Sequence, residues 1–443
     1  MSASGNGTLN FKNGDVYEGE FKNSKPHGQG KMTFNNKDGR IYTGEWMHGK
    51  FEGNGVCKWS DGTIYDGEWA QNVIHGKGKK TFTNGDICDG DWEKGAFAHG
   101  QGKMTLKDGR IYTGEWMNFK FHGKGVCTWP DGTVYDGEWA QDLIHGKGKQ
   151  TFANGDVYEG EFKNSKPHGY GQGKMTLKDG RVYTGEWMNG KFEGNGVCSW
   201  PDGTVYDGEW VEDEIDGKGK KTFANGDVYD GDWVKGRVEG RGICNYASGT
   251  TYDGEWQKDD HFGQGKKIYS NGDVYEGSWV GSKRHGKGKI IWKSGSEYEG
   301  GWEHDKQAAK GTYKWPEGDV YEGDWQDGVM HGTGQYNYPN GNKYKGQWAH
   351  GKRNGQGSMT YANKEVYDGE WKADKKHGNG KMIFRDGRIY EGDWYEGRMN
   401  GMGFMTYDDG RIHDGMWKDG KFLMDTCGMN LGFLQSSGCA LIK

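Results

Sequence analysis

The sequence predicts an all-β protein, an elongated single-layer solenoid of tandem antiparallel β-hairpins twisted into a rod. Three observations predict it. A Y-x-G-x-W motif recurs 18 times along 443 residues. Within each copy apolar and polar residues alternate, as in strands, and no helical period is sustained. Glycine is abundant (84 residues), proline is scarce (6), and 14% of residues are aromatic, a ring content that a disordered chain does not carry.

The motif runs from Tyr17 to His413, and its step is 23 residues in all but three cases. Its glycine is present in all 18 copies; its last ring is Trp in 16 and Phe in two, Phe21 and Phe162. A second signature follows ten residues after the Tyr and reads His75-Gly76-Lys77-Gly78-Lys79 in one copy. All 21 Trp fall on two register positions, the motif's own or the one occupied by Trp59, Trp129, Trp200, Trp292 and Trp315.

One repeat, Tyr65 to Ile87, shows why this is strand, turn, strand. Tyr65, Gly67 and Trp69 alternate with Asp66 and Glu68, and Gly76, Gly78, Lys80 and Phe82 alternate with Lys77, Lys79 and Thr81. Gln71 to His75 is the expected turn, and Asn84-Gly85 marks the next one. One face therefore carries Tyr65, Gly67, Trp69, Gly76, Gly78 and Phe82, and in a later copy Tyr275, Gly277 and Trp279. The glycines leave room for neighbouring rings to lie flat on the backbone. The opposite face sets acids of the first strand beside lysines of the second, each pair contributing roughly 0.2–1 kcal/mol. The Tyr17 and Tyr158 repeats carry two-residue insertions, which preserve the facing of every later side chain. The single-residue insertion lies between Trp92 and His99 and is expected in the hairpin turn. Residues 1–15 form a half-repeat strand, 16–423 the array and 424–443 an atypical cap. With two strand spacings per hairpin, the rod is on the order of 170 Å long, and stability must come from packing between neighbours. Residues 40–99, 110–169 and 181–235 resemble one another as three-repeat blocks.

The string from Tyr158 to Asp179, and with changes from Tyr275 to Gly295, closely resembles the MORN repeat (membrane occupation and recognition nexus), over residues 5–420. The resemblance implies an elongated array of hairpins. Members of that family include junctophilins, radial spoke head proteins of cilia, basal-complex proteins of parasites and plant lipid kinases that carry the array before a kinase domain. This sequence contains neither a transmembrane anchor nor a kinase or methyltransferase domain, so the resemblance carries over an array and not an activity. Departures are Cys88 and His413 for Tyr, Ala309 for the first glycine of G-x-G, and the loss of the pattern after Trp417.

Net charge is −6 with acids and bases interleaved, which argues against nucleic acid as a partner. No run of 18 apolar residues is present, the first residues lack a secretory or myristoylation signal, and Cys439 is one position too early for prenylation. Seven cysteines without a C-x-x-C pair fit free thiols and a cytoplasmic protein. Nine histidines recur in or beside the turn before G-x-G, among them His27, His75 and His145; that regularity marks turn structure rather than catalysis. Cys57, Cys127, Cys198 and Cys244 share one position whole repeats apart, too far for a metal cage. No G-K-[ST] follows a G-x-G. The sequence thus offers no catalytic residue, metal site or cofactor, and the protein is expected not to be an enzyme.

Two windows hold no acid: residues 280–293, with Lys283, Arg284, Lys287, Lys289 and Lys293, and residues 342–364, with Lys343, Lys345, Lys352, Arg353 and Lys364. Clusters of this size can hold anionic lipid headgroups or an acidic partner. The aromatic face is either consumed in self-packing or open to a partner helix or peptide. The leading expectation is a non-catalytic scaffold for other proteins at the cytoskeleton, cilium or cell cortex. The alternative is a peripheral membrane adaptor for phosphoinositides or other anionic phospholipids, and the third a regulatory array acting on a lipid kinase or other enzyme in trans. A homodimer through an array end is a further expectation.

Overall fold

The computed structural model describes residues 3–425. Among them there is no helix; the chain is all-β and antiparallel. It divides into two units, residues 1–224 and 225–443. In the first, Gly5–Asn10 pairs with Val16–Lys22, and each later strand pairs with its chain neighbours up to Glu214–Thr222, except that Lys166–Pro167 and Gly169–Thr176 both pair with Val157–Lys163. In the second the same order runs from Val228–Val234 to Lys421–Asp425. Most repeats hold a seven-residue strand followed by one of nine, as in Ile64–Ala70 and Val73–Thr81. The expected cap, 424–443, lies outside the described residues except for Met424 and Asp425, which end the last strand.

The hairpin turn is tighter than Gln71 to His75. Only Gln71 and Asn72 turn, both at positive φ (52° and 76°), and Val73 already pairs with Ala70. Two successive left-handed residues match the twist of the flanking strands. Asn72 Oδ1 accepts the Phe51 amide at 2.8 Å and so ties the turn to the preceding repeat. Phe119 stands in this geometry at φ 60° and 50% exposed, where the equivalent repeats have Gly49 and Gly190. Phe119→Gly is therefore expected to raise stability by about 1 kcal/mol, because glycine removes left-handed strain and no buried contact is lost. Urea unfolding of the two chains checks it.

The glycines of Y-x-G-x-W and the second glycines of G-x-G form one row. Gly55 pairs with Gly67, Gly67 with Gly78, and Gly78 with Gly90, and the row recurs throughout each unit. A Cβ on Gly78 would lie 2.7 Å from Tyr65 Cε2, and one on Gly67 would lie 2.6 Å from the Lys77 carbonyl. The Tyr ring lies across this row, and the Tyr65 hydroxyl donates to the Glu68 carbonyl at 3.0 Å. The Trp69 indole N–H donates to the Gly55 carbonyl of the preceding repeat at 2.9 Å, and Trp69 meets Tyr42 and Tyr65 edge-on at 5.4 and 5.2 Å. Edge-to-face contact satisfies the ring quadrupoles. Tyr65 is thus 0% and Trp69 6% exposed in a sheet with no second layer.

The first glycine of G-x-G does something different. Gly76 sits at φ 65° in a bulge opposite Glu68, whose carboxylate packs where a side chain would be, with Cδ 2.8 Å from a hypothetical Cβ. The carboxylate also caps the bulge in many repeats: Glu45 Oε1 accepts the Asn54 amide at 3.1 Å and Asp324 Oδ2 the Thr333 amide at 2.8 Å. Gln347 keeps the role with its amide oxygen, 2.8 Å from the Gln356 N. Ala309 occupies the glycine position at φ 53°.

The Tyr17 insertion lengthens the loop closed by Phe34 and Arg40. The single-residue insertion after Trp92 falls elsewhere than expected. The turn at Lys94-Gly95 keeps two residues, and the extra one enlarges the bulge of Ala96–Thr105. Phe97 pairs with Trp92 as Phe51 pairs with Trp46, and it lies over Gly102, with Cε1 2.6 Å from a hypothetical Cβ there, in the space that Cys88, standing for Tyr, leaves empty.

Candidate functional surfaces

Tyr275 is 0% and Trp279 2% exposed, like Tyr65 and Trp69, whereas Gly67, Gly76, Gly78 and Phe82 are half-buried and Gly277 is buried. The rings are consumed by their neighbours. The residue paired with the Trp across the hairpin completes this packing. In the first unit it is apolar: Phe51 stacks on Tyr42 at 3.8 Å, and Phe121 and Phe192 do the same in their blocks. In the second unit it is apolar at both ends (Val238, Met399 and Phe422), while the repeats between hold His261, Arg284, Gln307, Met330, Arg353 and Lys376.

Two of these residues, Arg284 and Arg353, come from the basic windows. The Arg284 guanidinium lies 4.3 Å over the Trp302 ring, and its Nε and Nη2 donate to Asp305 Oδ1 and the Asp305 carbonyl at 3.0 and 2.9 Å. Arg353 repeats the arrangement with Trp371 (4.3 Å) and Asp374 (3.1 and 2.9 Å). Their side chains are only 18% and 17% exposed. Both arginines belong to the ring packing and carry their own counter-ion from the next repeat. Lys289 pairs with Glu297 at 3.1 Å, and hydrogen bonds from Lys314 and Lys289 hold the Glu297 carboxyl below its ordinary range. Lys283 and Lys352 are exposed at hairpin ends, Lys293 in a loop at the opposite strand end, and Lys287, Lys343 and Lys345 on the charged face. The windows are acid-free in sequence and mixed in space. A groove of about 970 Å³ over Gly277, Gly288 and Gly300 is lined by Lys287, Lys289 and Lys310 together with Glu276, Glu299 and Glu303.

Two titratable groups are displaced far from their ordinary values. His261 is 4% exposed and stacks on Tyr252 at 3.7 Å, between Trp256 and Trp279. Its Nε2 shares a hydrogen bond with the Tyr246 hydroxyl at 2.9 Å. Burial first, then the Lys267 charge, pushes its pKa down from 6.5 to about 3. Between those values the unfolded chain binds a proton that the folded one refuses, so stability falls as pH drops through about 6.5 and levels off near 3. His261→Phe, the residue used at 51, 121 and 192, is expected to abolish this term, worth about 3 kcal/mol near pH 4.5. Urea unfolding of both chains at neutral pH and near pH 4.5 measures it. Lys376 sits among Trp394, Tyr367 and Tyr361 at 4.8, 5.0 and 5.4 Å, and burial brings it down to about 8. Both groups lie within the packed ring layer.

Cys57, Cys127 and Cys198 are buried against the Tyr rings of neighbouring strands. Burial raises their thiols, Cys57 to about 12 and the other two to about 11, so they remain protonated at neutral pH. Among the described residues no group of three or more His, Cys, Asp or Glu is placed to hold a metal ion, and no helix is long and apolar enough to cross a membrane.

The family model of the MORN repeat matches 17 consecutive segments, from residues 17–39 to 390–410. The chain belongs to the MORN-repeat family. No curated protein matches it. Among solved structures it is similar to the TCP10 domain of Danio rerio CPAP, with 12% identity over 50% of this chain and 98% of that one, at a TM-score of 0.27. It is also similar to the TCP domain of Drosophila melanogaster SAS-4 in complex with a proline-rich motif of Ana2, with 10% identity over 40% and 90%, at a TM-score of 0.24. Virginiamycin B lyase from Staphylococcus aureus matches with 10% identity over 70% and 92%, at a TM-score of 0.12. At these TM-scores the likenesses carry no argument.

Proposed function

We propose that this chain is a non-catalytic scaffold that binds other proteins at the cytoskeleton, cilium or cell cortex. MORN repeats are in general protein- or membrane-interaction repeats. The observation that carries the reading is the division of labour within every repeat. Rings, thiols and displaced titratable groups are committed to internal packing, while the opposite face presents a regular lattice of exposed charged side chains. A reaction site needs an exception to such a lattice; a scaffold needs the lattice itself.

A second reading, a peripheral adaptor for phosphoinositides, draws on the exposed Lys283, Lys287, Lys293, Lys343, Lys345 and Lys352. The internal pairing of Arg284, Arg353 and Lys289 weakens it, because a cation already matched gains less from an anionic surface. Co-sedimentation of the purified chain separates the two. With detergent-extracted cytoskeleton or axonemes it is expected to pellet at physiological salt, and with phosphoinositide-containing vesicles to stay in solution. Pelleting with those vesicles and not with the cytoskeletal fraction would overturn the scaffold in favour of the adaptor.

A further inference from the structure

The charged face of the first unit holds a pattern with a symmetry of its own. Beside the glycine row, register places Asp66, Lys79, Asp89, Lys103, Thr113 and Val126 side by side on six successive strands. The same order returns as Asp136, Lys149, Glu159, Lys174, Thr184 and Val197, and Asp207 and Lys220 begin it again. Glu18, Lys31, Thr43 and Val56 precede it as the end of an earlier turn of the pattern.

All twelve charged residues in this row are exposed, and among the described residues none of them forms an ion pair within the chain. Val126 and Val197 are each 37% exposed. The row is therefore charged, unpaired and interrupted by uncharged Thr-Val windows at a fixed interval.

Such a row is complementary to itself in reverse. A two-fold axis parallel to the strands, passing between Ile111–Met117 and Lys120–Thr128, turns a second copy face to face with the first and reverses the strand order. Across it Lys103 meets Asp136, Asp89 meets Lys149, and Lys79 meets Glu159. Further out Asp66 meets Lys174, Lys31 meets Asp207, and Glu18 meets Lys220. The uncharged windows meet one another, Thr113 on Val126 and Thr43 on Val197. The row on the other side of the glycines obeys the same axis. There Glu115 meets Lys124, Asp91 meets Lys147 and Lys77 meets Glu161, while Glu45 and Glu138 meet the amides of Asn195 and Gln101. No like charges meet among any of these pairs.

We infer that the first unit pairs with a second copy of this chain, antiparallel and charged face to charged face, about this axis. A second copy is the occupant because the order of charges in the row matches its own reverse, a two-fold contact is satisfied by one surface on both sides, and the common strand spacing of about 4.7–4.9 Å keeps the contacts in step. The surface differs from an array end. The pairing stands or falls independently of the scaffold reading, because a scaffold can act as a monomer.

The test uses the full chain in sedimentation velocity at low and high salt. The wild type is expected to dimerise at low salt and to dissociate as salt rises. Lys103→Glu with Lys149→Glu places acid on acid, and Asp89→Lys with Asp136→Lys places base on base. Each double variant alone is expected to dimerise at least about tenfold less tightly. An equimolar mixture of the two restores every opposite-charge contact and is expected to recover the wild-type dimer. In parallel, carbodiimide treatment of mixed light and 15N-labelled wild-type chains is expected to give a Lys103–Asp136 cross-link between light and heavy peptides, a readout that needs no variant to fold. A wild type that stays monomeric at low salt overturns the inference. So does a dimer indifferent to both charge reversals, which would point to an array end, or a mixture that stays dissociated while both variants keep wild-type circular dichroism.

Discussion

Gly67→Ala is expected to destabilise the chain by about 3 kcal/mol or more, although it adds one methyl group to a half-exposed residue. The new Cβ would lie 2.6 Å from the Lys77 carbonyl and 2.7 Å from the Tyr65 hydroxyl, and would press against the Gly78 Cα. Two of those three neighbours are backbone atoms of a paired strand, which cannot swing away as a side chain can. Opening the Gly67–Gly78 pair to admit the methyl would also lift Tyr65 from the row it covers and draw the Trp69 indole from the Gly55 carbonyl. Gly62→Ala is the control. That glycine sits at φ 93° with open space around it, so only backbone strain of about 1 kcal/mol is expected. Equal losses for the two variants in urea unfolding would show that glycine is required for its backbone freedom alone, and not for close approach.

Trp302→Ala is expected to cost about 3–5 kcal/mol. Trp302 is 4% exposed, donates to the Gly288 carbonyl at 3.0 Å, and meets Tyr275 and Tyr298 edge-on at 5.4 and 5.2 Å. It also carries the Arg284 guanidinium. Removing it opens a cavity between two repeats and leaves one side of Arg284 without its ring. Trp302→Phe keeps a ring and loses the hydrogen bond, so about 1–2 kcal/mol is expected. Phe162 shows that the array accepts that exchange, since it still meets Tyr135 and Tyr158 at 5.1 and 4.9 Å. Chemical denaturation of the three chains, followed by near-ultraviolet circular dichroism, distinguishes them. An Ala variant no weaker than the Phe variant would contradict a structure held together ring against ring.

Much of the fold was legible in the sequence because the register is so rigid. With all Trp on two positions and a glycine two residues after each Tyr, the alternation of faces follows, and so does the need for rings to lie over glycine. The bulge was not legible. Gly76 and Gly78 look alike in the string G-x-G, yet one is needed for positive φ and the other for close approach. The acid before the Trp was expected only to face lysines of the next strand, while its carboxylate also packs over the glycine eight residues on. The turn looked five residues long because Val73, Ile74 and His75 give no sign that Gln71 and Asn72 alone reverse the chain. The insertion after Trp92 looked like turn length, while the turn keeps two residues and the extra one lies in the strand beyond Phe97.

The basic windows show a different limit. A stretch without acids along the chain is not a stretch without acids in space when the next strand comes from a later repeat. Asp305 and Asp374 lie 21 residues beyond the arginines they hold. Reading down the column of residues that pair with each Trp would have shown Phe51, Phe121 and Phe192 giving way to His261, Arg284, Arg353 and Lys376. That column holds the displaced His261 and Lys376, neither of which any motif marks.

Each repeat is locked to the one before it through ring and glycine, and indole hydrogen exchange tests this lock most directly. The indole N–H groups of the motif tryptophans, Trp46, Trp69, Trp302 and Trp417 among them, donate to a glycine carbonyl of the preceding strand pair. Trp59, Trp129, Trp200, Trp292 and Trp315 occupy the other register position and serve as the internal reference. Transferred into deuterated buffer and followed by NMR, the first set is expected to exchange slowly, in step with the central strand amides, and the second set quickly. Uniformly fast exchange of all these indoles would contradict the lock between repeats.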